Sequence, residues 1–298
     1  MGFLDQISSG VIHQNDFILV YGIPKVGKTT FACDFENSII MDIEDGSKNL
    51  NVKRGKKIEH FKEIIPALGE LLVDKHIFKT IVVDSLDSIE AMINKCVCEE
   101  NGWKAVEDGA FGKGYAAAQA KWIELVDQLK KLREKMNVVL IAHSTVKQVN
   151  DPMKNSAYDR HEIKLRDKAA ALFKESVDAI LYCTYEYHTK EAANGKVKAI
   201  GDGSRIMYTQ SRPAHEGGNR YGLPYKLALS YSAYREARES AGVDEIANLK
   251  KIISEGIAEL KEPDLKEKVS KALAKAKDNK TDLEKIQNRL SEILANAV

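Results

Sequence analysis

Cysteine, proline and tryptophan are scarce, and an excess of either charge is nearly absent. The four cysteines, Cys33, Cys96, Cys98 and Cys183, include no pair with zinc-ligand spacing and partners nearby, which excludes a zinc ribbon. Cys96-Val97-Cys98 lies in a stretch of helical character, where the two side chains would point to different faces. All four read as reduced thiols, an expectation that suits the cytoplasm. The N-terminus lacks the basic and apolar regions of a signal peptide, and no apolar run is long enough to span a bilayer, so secreted and membrane classes drop out. Lys and Arg number 45 against 44 Asp and Glu, so no whole-molecule field advertises a nucleic-acid partner. Such a partner has to be argued from local clusters. The 298 residues suffice for one α/β domain with a sizeable core and a smaller appendage.

What is present is an alternation of short apolar runs with helical patterns. Phe17–Tyr21, Ser38–Asp42, Thr80–Asp84 and Val138–Ala142 read as buried strands, being short and rich in β-branched residues. Helices are expected over about Glu63 to Lys75, with Pro66 tolerated only in the first turn, and over Ser85 to Glu100. Trp122, Leu125, Leu129, Leu132 and Met136 share one helical face. The alternation implies a mostly parallel sheet covered on both faces. Gly109 to Gly114 reads as a glycine-rich loop, and Thr145 to Arg166 as polar and irregular. A helix over Asp167 to Glu175, a strand over Asp178 to Cys183, a hairpin turn at Asn194-Gly195, and strands at Ile206–Tyr208 and Tyr225–Leu229 follow. Past about Ser232 the composition shifts to Lys, Glu, Ala and Leu. Residues 1–232 therefore read as the core, and 233–298 as two or three amphipathic helices, with Asp264 and Thr281 as N-caps and Glu284 completing a capping box.

Gly22-Ile23-Pro24-Lys25-Val26-Gly27-Lys28-Thr29 matches G-x-x-x-x-G-K-[ST] between an expected strand and an expected helix, the context the motif requires. Glycines let the backbone turn its N–H groups onto phosphates, and the following helix adds positive potential. Lys28 is placed to bridge the β- and γ-phosphates of ATP, the Thr29 hydroxyl to ligate Mg²⁺, and Thr30 to extend the binding segment. Asp84 closes an apolar strand and completes the magnesium pair, with Ser85 as a polar neighbour. Asp42, Glu44 and Asp45 follow the second strand and compete for a catalytic role; alternation puts Asp42 and Glu44 on one face, with Glu44 nearer the carboxyl end. His143 closes the fourth strand, where its ring would reach towards the γ-phosphate and report nucleotide state.

These segments, together with Phe111-Gly112-Lys113-Gly114-Tyr115 and Asn219-Arg220-Tyr221-Gly222-Leu223-Pro224, resemble phage-encoded AAA-type ATP-binding proteins with a RecA-like core, some of which act as single-strand annealing proteins or recombinases of the P-loop Sak group. The resemblance covers about Phe17 to Ser230. It implies a RecA-like P-loop ATPase in the host cytoplasm, with Glu44 polarising the attacking water. It also implies homo-oligomers with ATP at subunit interfaces, where a neighbour's arginine, Arg220 before Arg212, reaches the transferring phosphate.

Single-stranded DNA is the partner implied. Two segments on the carboxyl side of the sheet combine basic and aromatic residues suited to it: Trp103 to Tyr115, with Lys113, and Thr145 to Arg166, with Lys147, Lys154, Arg160 and Lys164. The mixed-charge tail is a candidate for self-assembly or for recruiting a single-strand-binding protein. The function expected is ATP-dependent ssDNA binding with annealing or strand pairing. A hexameric helicase or an ATP-driven switch that binds no nucleic acid are the competing readings.

Overall fold

The computed structural model describes residues 14–152, 156–191, 197–260 and 262–296. They fall into two compact units, one of Gln14–Arg235 and one that begins at Glu236.

The first unit opens with β1 (Phe17–Gly22), α1 (Lys28–Cys33), β2 (Ser38–Asp42), the two-residue β3 (Lys53–Arg54), α2 (Phe61–Val73), β4 (Thr80–Asp84) and α3 (Leu86–Asn101). Two single 3-10 turns, Val106–Asp108 and Ala110–Gly112, lead into α4 (Lys113–Arg133). Then come β5 (Asn137–Val149), β6 (Tyr158–Ile163), α5 (Asp167–Ser176), β7 (Ala179–Tyr185), β8 (His188–Glu191), β9 (Val197–Ile200), β10 (Arg205–Tyr208), β11 (Gly218–Asn219) and β12 (Lys226–Ala228). β8 and β9 pair as a separate ribbon, while the Asn194-Gly195 turn lies outside the described residues.

The main sheet runs β12-β10-β7-β1-β5-β4-β2-β3, with β11 on β7 and β6 on β5. From β7 to β3 every pair along that path is parallel; β10, β12, β11 and β6 join antiparallel. This is the α/β class with a mostly parallel sheet expected from the sequence. β1 is buried along its whole length, as a strand covered on both faces must be. Trp122, Leu125, Leu129 and Leu132 of α4 enter the same core as Phe17, Leu19, Val83 and Leu140, burying the face that the helical spacing marked out.

Some local expectations are corrected. α2 starts at Phe61, because Glu63 accepts the His60 amide at 3.1 Å and sets the first turn there. Pro66 therefore sits inside the helix, not in its first turn. The irregular stretch after Ala142 is a ribbon: β5 continues to Val149 and pairs with β6. It lacks the apolar–polar alternation that marks a strand, because Val146 is exposed while Lys147 beside it is half-buried. His143 thus lies within β5, not at its end. Gly109 to Gly114 is turned structure running into a helix.

The second unit holds most of α6 (Tyr231–Glu259), with α7 (Pro263–Ala276) and α8 (Lys280–Asn296). Leu249, Ile253, Leu260, Leu283 and Leu290 form its core. Asp264 lies in the first turn of α7, and Asn279, not Thr281, caps α8, its side chain accepting the Asp282 amide at 3.2 Å. No helix among the described residues is long and apolar enough to cross a membrane.

Candidate active site

The parallel register lines up the strand ends that carry chemistry. Gly22 pairs with His143 and with Cys183, and Asp84 pairs with Asp42. Past Gly22 the chain makes the tight loop Ile23-Pro24-Lys25-Val26, with Lys25 at φ +62°, and enters α1 through Gly27 at φ +111°. Gly22 passes so close to β7 that a Cβ there would stand 2.1 Å from the Cys183 carbonyl oxygen. Burial pushes the Cys183 thiol up to about 12, so it packs as a neutral group.

Lys28 is 5% exposed and donates from Nζ to the Gly22 and Ile23 carbonyls at 3.1 and 2.9 Å. Burial lowers its pKa, opposed by the carboxylates of Asp84, Glu44 and Asp87. Thr29 donates its hydroxyl to Asp84 at 2.7 Å, and burial raises the Asp84 carboxyl to about 6. A hydroxyl and a carboxylate touching at the mouth of a phosphate loop are two hard oxygen donors of the kind that Mg²⁺ takes, so these residues fit the ion.

The three acids after β2 separate by what they touch. Asp42 accepts the Gly46 and Ser47 amides at 3.0 and 2.9 Å and the Ser47 hydroxyl at 2.5 Å, which commits it to the turn. Asp45 pairs with Lys48 at the surface. Glu44 alone turns to the site. Backbone bonds from Ile43 and Glu44 to the Asp84 carbonyl, 2.8 and 3.4 Å, carry it over the end of β4. There its carboxylate accepts the Ser85 hydroxyl, and the Ser88 hydroxyl at 3.0 Å.

His143 stands 3.6 Å from Glu44. Asp87, in the first turn of α3, grips it twice: one oxygen accepts its amide at 3.0 Å and the other its Nδ1–H at 2.8 Å. Those bonds raise the His143 pKa, outweighing burial. Burial acts to raise Asp87, and the His143 bonds overcome it to leave the carboxyl below its ordinary value. Asp87 and Ser88 were missed from the sequence as site residues. The available signal was their position one helical turn beyond Asp84.

The remaining expected residues are scattered. Arg220 lies at the amino end of β7, its guanidinium on Asp178 at 3.1 Å and its amide on the Asp178 carbonyl. Because Asp178 bonds to Phe17 at the start of β1, Arg220 is at the opposite end of the sheet from its own phosphate loop. Arg212 lies over the Tyr225 ring at 4.4 Å. Lys147 is held by Asp167 at 2.6 Å, and Arg160 by Glu162 and Glu216 at 3.0 and 2.5 Å, so these two cations are neutralised within the chain. Lys113 and Lys164 are exposed, and Lys154 lies outside the described residues. Phe111 is fully exposed at φ +57°, next to Lys113, while Arg166 covers the Tyr115 ring at 3.7 Å.

Comparison with known proteins adds a family. The profile of a family described as an AAA domain matches residues 14–221. Among solved structures the chain is similar to the crystal structure of the RadB recombinase, at 13% identity and a TM-score of 0.40, over 73% of this chain and 89% of that one. No curated protein matches the sequence.

Proposed function

Since the chain belongs to this AAA domain family, we propose that it binds and hydrolyses ATP with magnesium at the Gly22–Thr30 loop. The observation that carries this reading is the convergence of two sets of groups at one edge of the sheet. Lys28, Thr29 and Asp84 form a cation and metal pair suited to a polyphosphate, and Glu44, His143 and Asp87 form a linked carboxylate–imidazole–carboxylate row beside it.

In this reading the loop amides and Lys28 bind the phosphates, and Lys28 exchanges its two carbonyl bonds for phosphate oxygens. Thr29 and Asp84 hold magnesium, which when bound neutralises charge on the phosphate oxygens. Glu44, fixed by Ser85 and Ser88, orients the attacking water and accepts its proton. His143, fixed by Asp87, answers to the phosphate that is released.

The work done with that energy is DNA recombination of the phage type: binding of single-stranded DNA, with annealing or strand pairing, by a homo-oligomer in which Arg220 of one copy serves the site of the next. The exposed Phe111 beside Lys113 supports a single-strand surface, a ring to stack on a base next to a cation for phosphate. Lys147 and Arg160, spent on internal acids, are replaced in this role by Lys113 and Lys164.

Two assays test the reading. Phosphate release should fall at least about a hundredfold in Glu44→Gln while ADP affinity persists, as for loss of a general base. Anisotropy of a labelled ssDNA oligonucleotide should rise only with ATP and magnesium, and not for Lys28→Ala. Phosphate release that is equal in Glu44→Gln removes the catalytic assignment. DNA binding that ignores nucleotide removes the recombination reading.

A further inference from the structure

The phosphate loop has a neighbour that no motif announces. Arg205 opens β10, and the antiparallel register sets it across from Tyr185 on β7. Its guanidinium lies against Gly27: a Cβ built on that glycine would stand 2.9 Å from Nη1. The Arg205 carbonyl accepts the Leu229 amide at 2.9 Å, so the strand is held from both sides. Tyr185 in turn donates its hydroxyl to the Lys25 carbonyl at 3.4 Å. One cross-strand pair therefore brackets the loop on the β7–β10 flank. Asp84 stands on β4, on the other side of β1.

Charge gives this placement its meaning. Several other cations of this unit are matched: Lys147 by Asp167, Arg160 by Glu216, Lys226 by Glu186. Among the described residues no acid pairs with Arg205. The loop thus faces two cations, Lys28 buried within it and Arg205 at its flank. Like charges set about one loop repel, and a polyphosphate is the anion that turns the repulsion into attraction. Glu44, Asp84 and His143 hold the flank where the bond would be cut, which leaves the retained phosphates to the other side.

We infer that Arg205 is a second phosphate ligand of the nucleotide site, supplied by the same chain and contacting the part of the phosphate chain that ADP keeps. The inference rests on the nucleotide reading above and extends it to a residue outside the loop motif.

Isothermal titration of unmodified ADP, and of a non-hydrolysable ATP analogue, into wild type, Arg205→Ala and Arg205→Lys tests it, with melting curves on each protein. Arg205→Ala should weaken both ligands by about tenfold or more, as expected for losing a hydrogen bond to a charged group. Its residual affinity should be less sensitive to added salt than that of wild type. Arg205→Lys keeps the charge and the stem, should recover part of the loss, and decides the matter where the alanine variant does not fold. Affinity for ADP within about twofold of wild type in a folded variant overturns the assignment. A loss confined to the ATP analogue also overturns it, because the arginine would then face the phosphate that is cut. Wild type that binds neither ligand overturns the nucleotide reading and this inference with it; wild type that binds, beside a variant that binds equally, overturns Arg205 alone.

Discussion

Replacing Asp87 with asparagine tests whether the imidazole in the site is set by its carboxylate. The wild-type carboxylate accepts two bonds from one residue, the His143 amide at 3.0 Å and Nδ1–H at 2.8 Å. Asparagine has one acceptor oxygen. If it keeps the backbone bond, its NH₂ faces Nδ1, and the ring must shed that proton to accept. A hydrogen bond to a charged group contributes about 1.5–3 kcal/mol and a neutral one about 0.5–1.5. The hold on the ring should therefore fall by about 1–2 kcal/mol, or about 5- to 30-fold in the population correctly set. The His143 side chain is 21% exposed and that of Asp87 13%, so solvent does not fully screen the pair. Steady-state phosphate release should show kcat down by that factor, while calorimetric ADP affinity stays within about twofold. The pH profile should move as well. Asp87 raises the His143 pKa, so the high-pH limb that reports the cationic ring should shift to lower pH in the variant. An unchanged kcat, or a lowered kcat with an unmoved limb, refutes the reasoning.

Two further outcomes concern the frame around the site. His161 and His215 stack in a column with Tyr182 and Tyr208, and burial lowers both histidine pKa values. A depressed native pKa means stability that is complete above the unfolded value near 6.5 and lost as pH falls below it, until the native rings protonate; His215→Phe should flatten the decline in chemical denaturation between about pH 6.5 and 5. Gly22→Ala should drive a Cβ into the Cys183 carbonyl, which only a shift of β7 can relieve, lowering stability by about 1–3 kcal/mol in the same assay.

Much of this was legible in the chain because it is local. The Gly22–Thr29 spacing, the apolar run ending at Asp84 and the face from Trp122 to Leu132 each depend on neighbours a few residues apart. Glu44 was separable from Asp42 only in part: alternation gives both one face, and the difference lies in a turn that brings Gly46 and Ser47 back onto Asp42. Arg205 had no local signal, since its place against Gly27 is a contact across more than half the chain, set by the β1–β7 and β7–β10 pairings together. The ribbon of β5 and β6 was hidden for another reason. Its apolar Val146 is exposed while its neighbour Lys147 is half-buried, so residue type did not follow burial and gave no period to read.

That ribbon is continuous with the candidate active site. β5 carries Val138 to Ala142 in the sheet, His143 at the row of acids, and Ser144 to Val149 paired with β6, without a break. From His143 to Lys147 is about 13 Å of extended backbone. The pairing of β5 passes from β1 to β6 between His143 and Ser144, so the ribbon begins directly beside the ring. Any tilt of the ribbon that alters the His143 ring is therefore also a tilt that the ring can impose. Whatever binds the ribbon more tightly in one nucleotide state must strengthen or weaken nucleotide binding by the same factor, because the two affinities close one thermodynamic cycle.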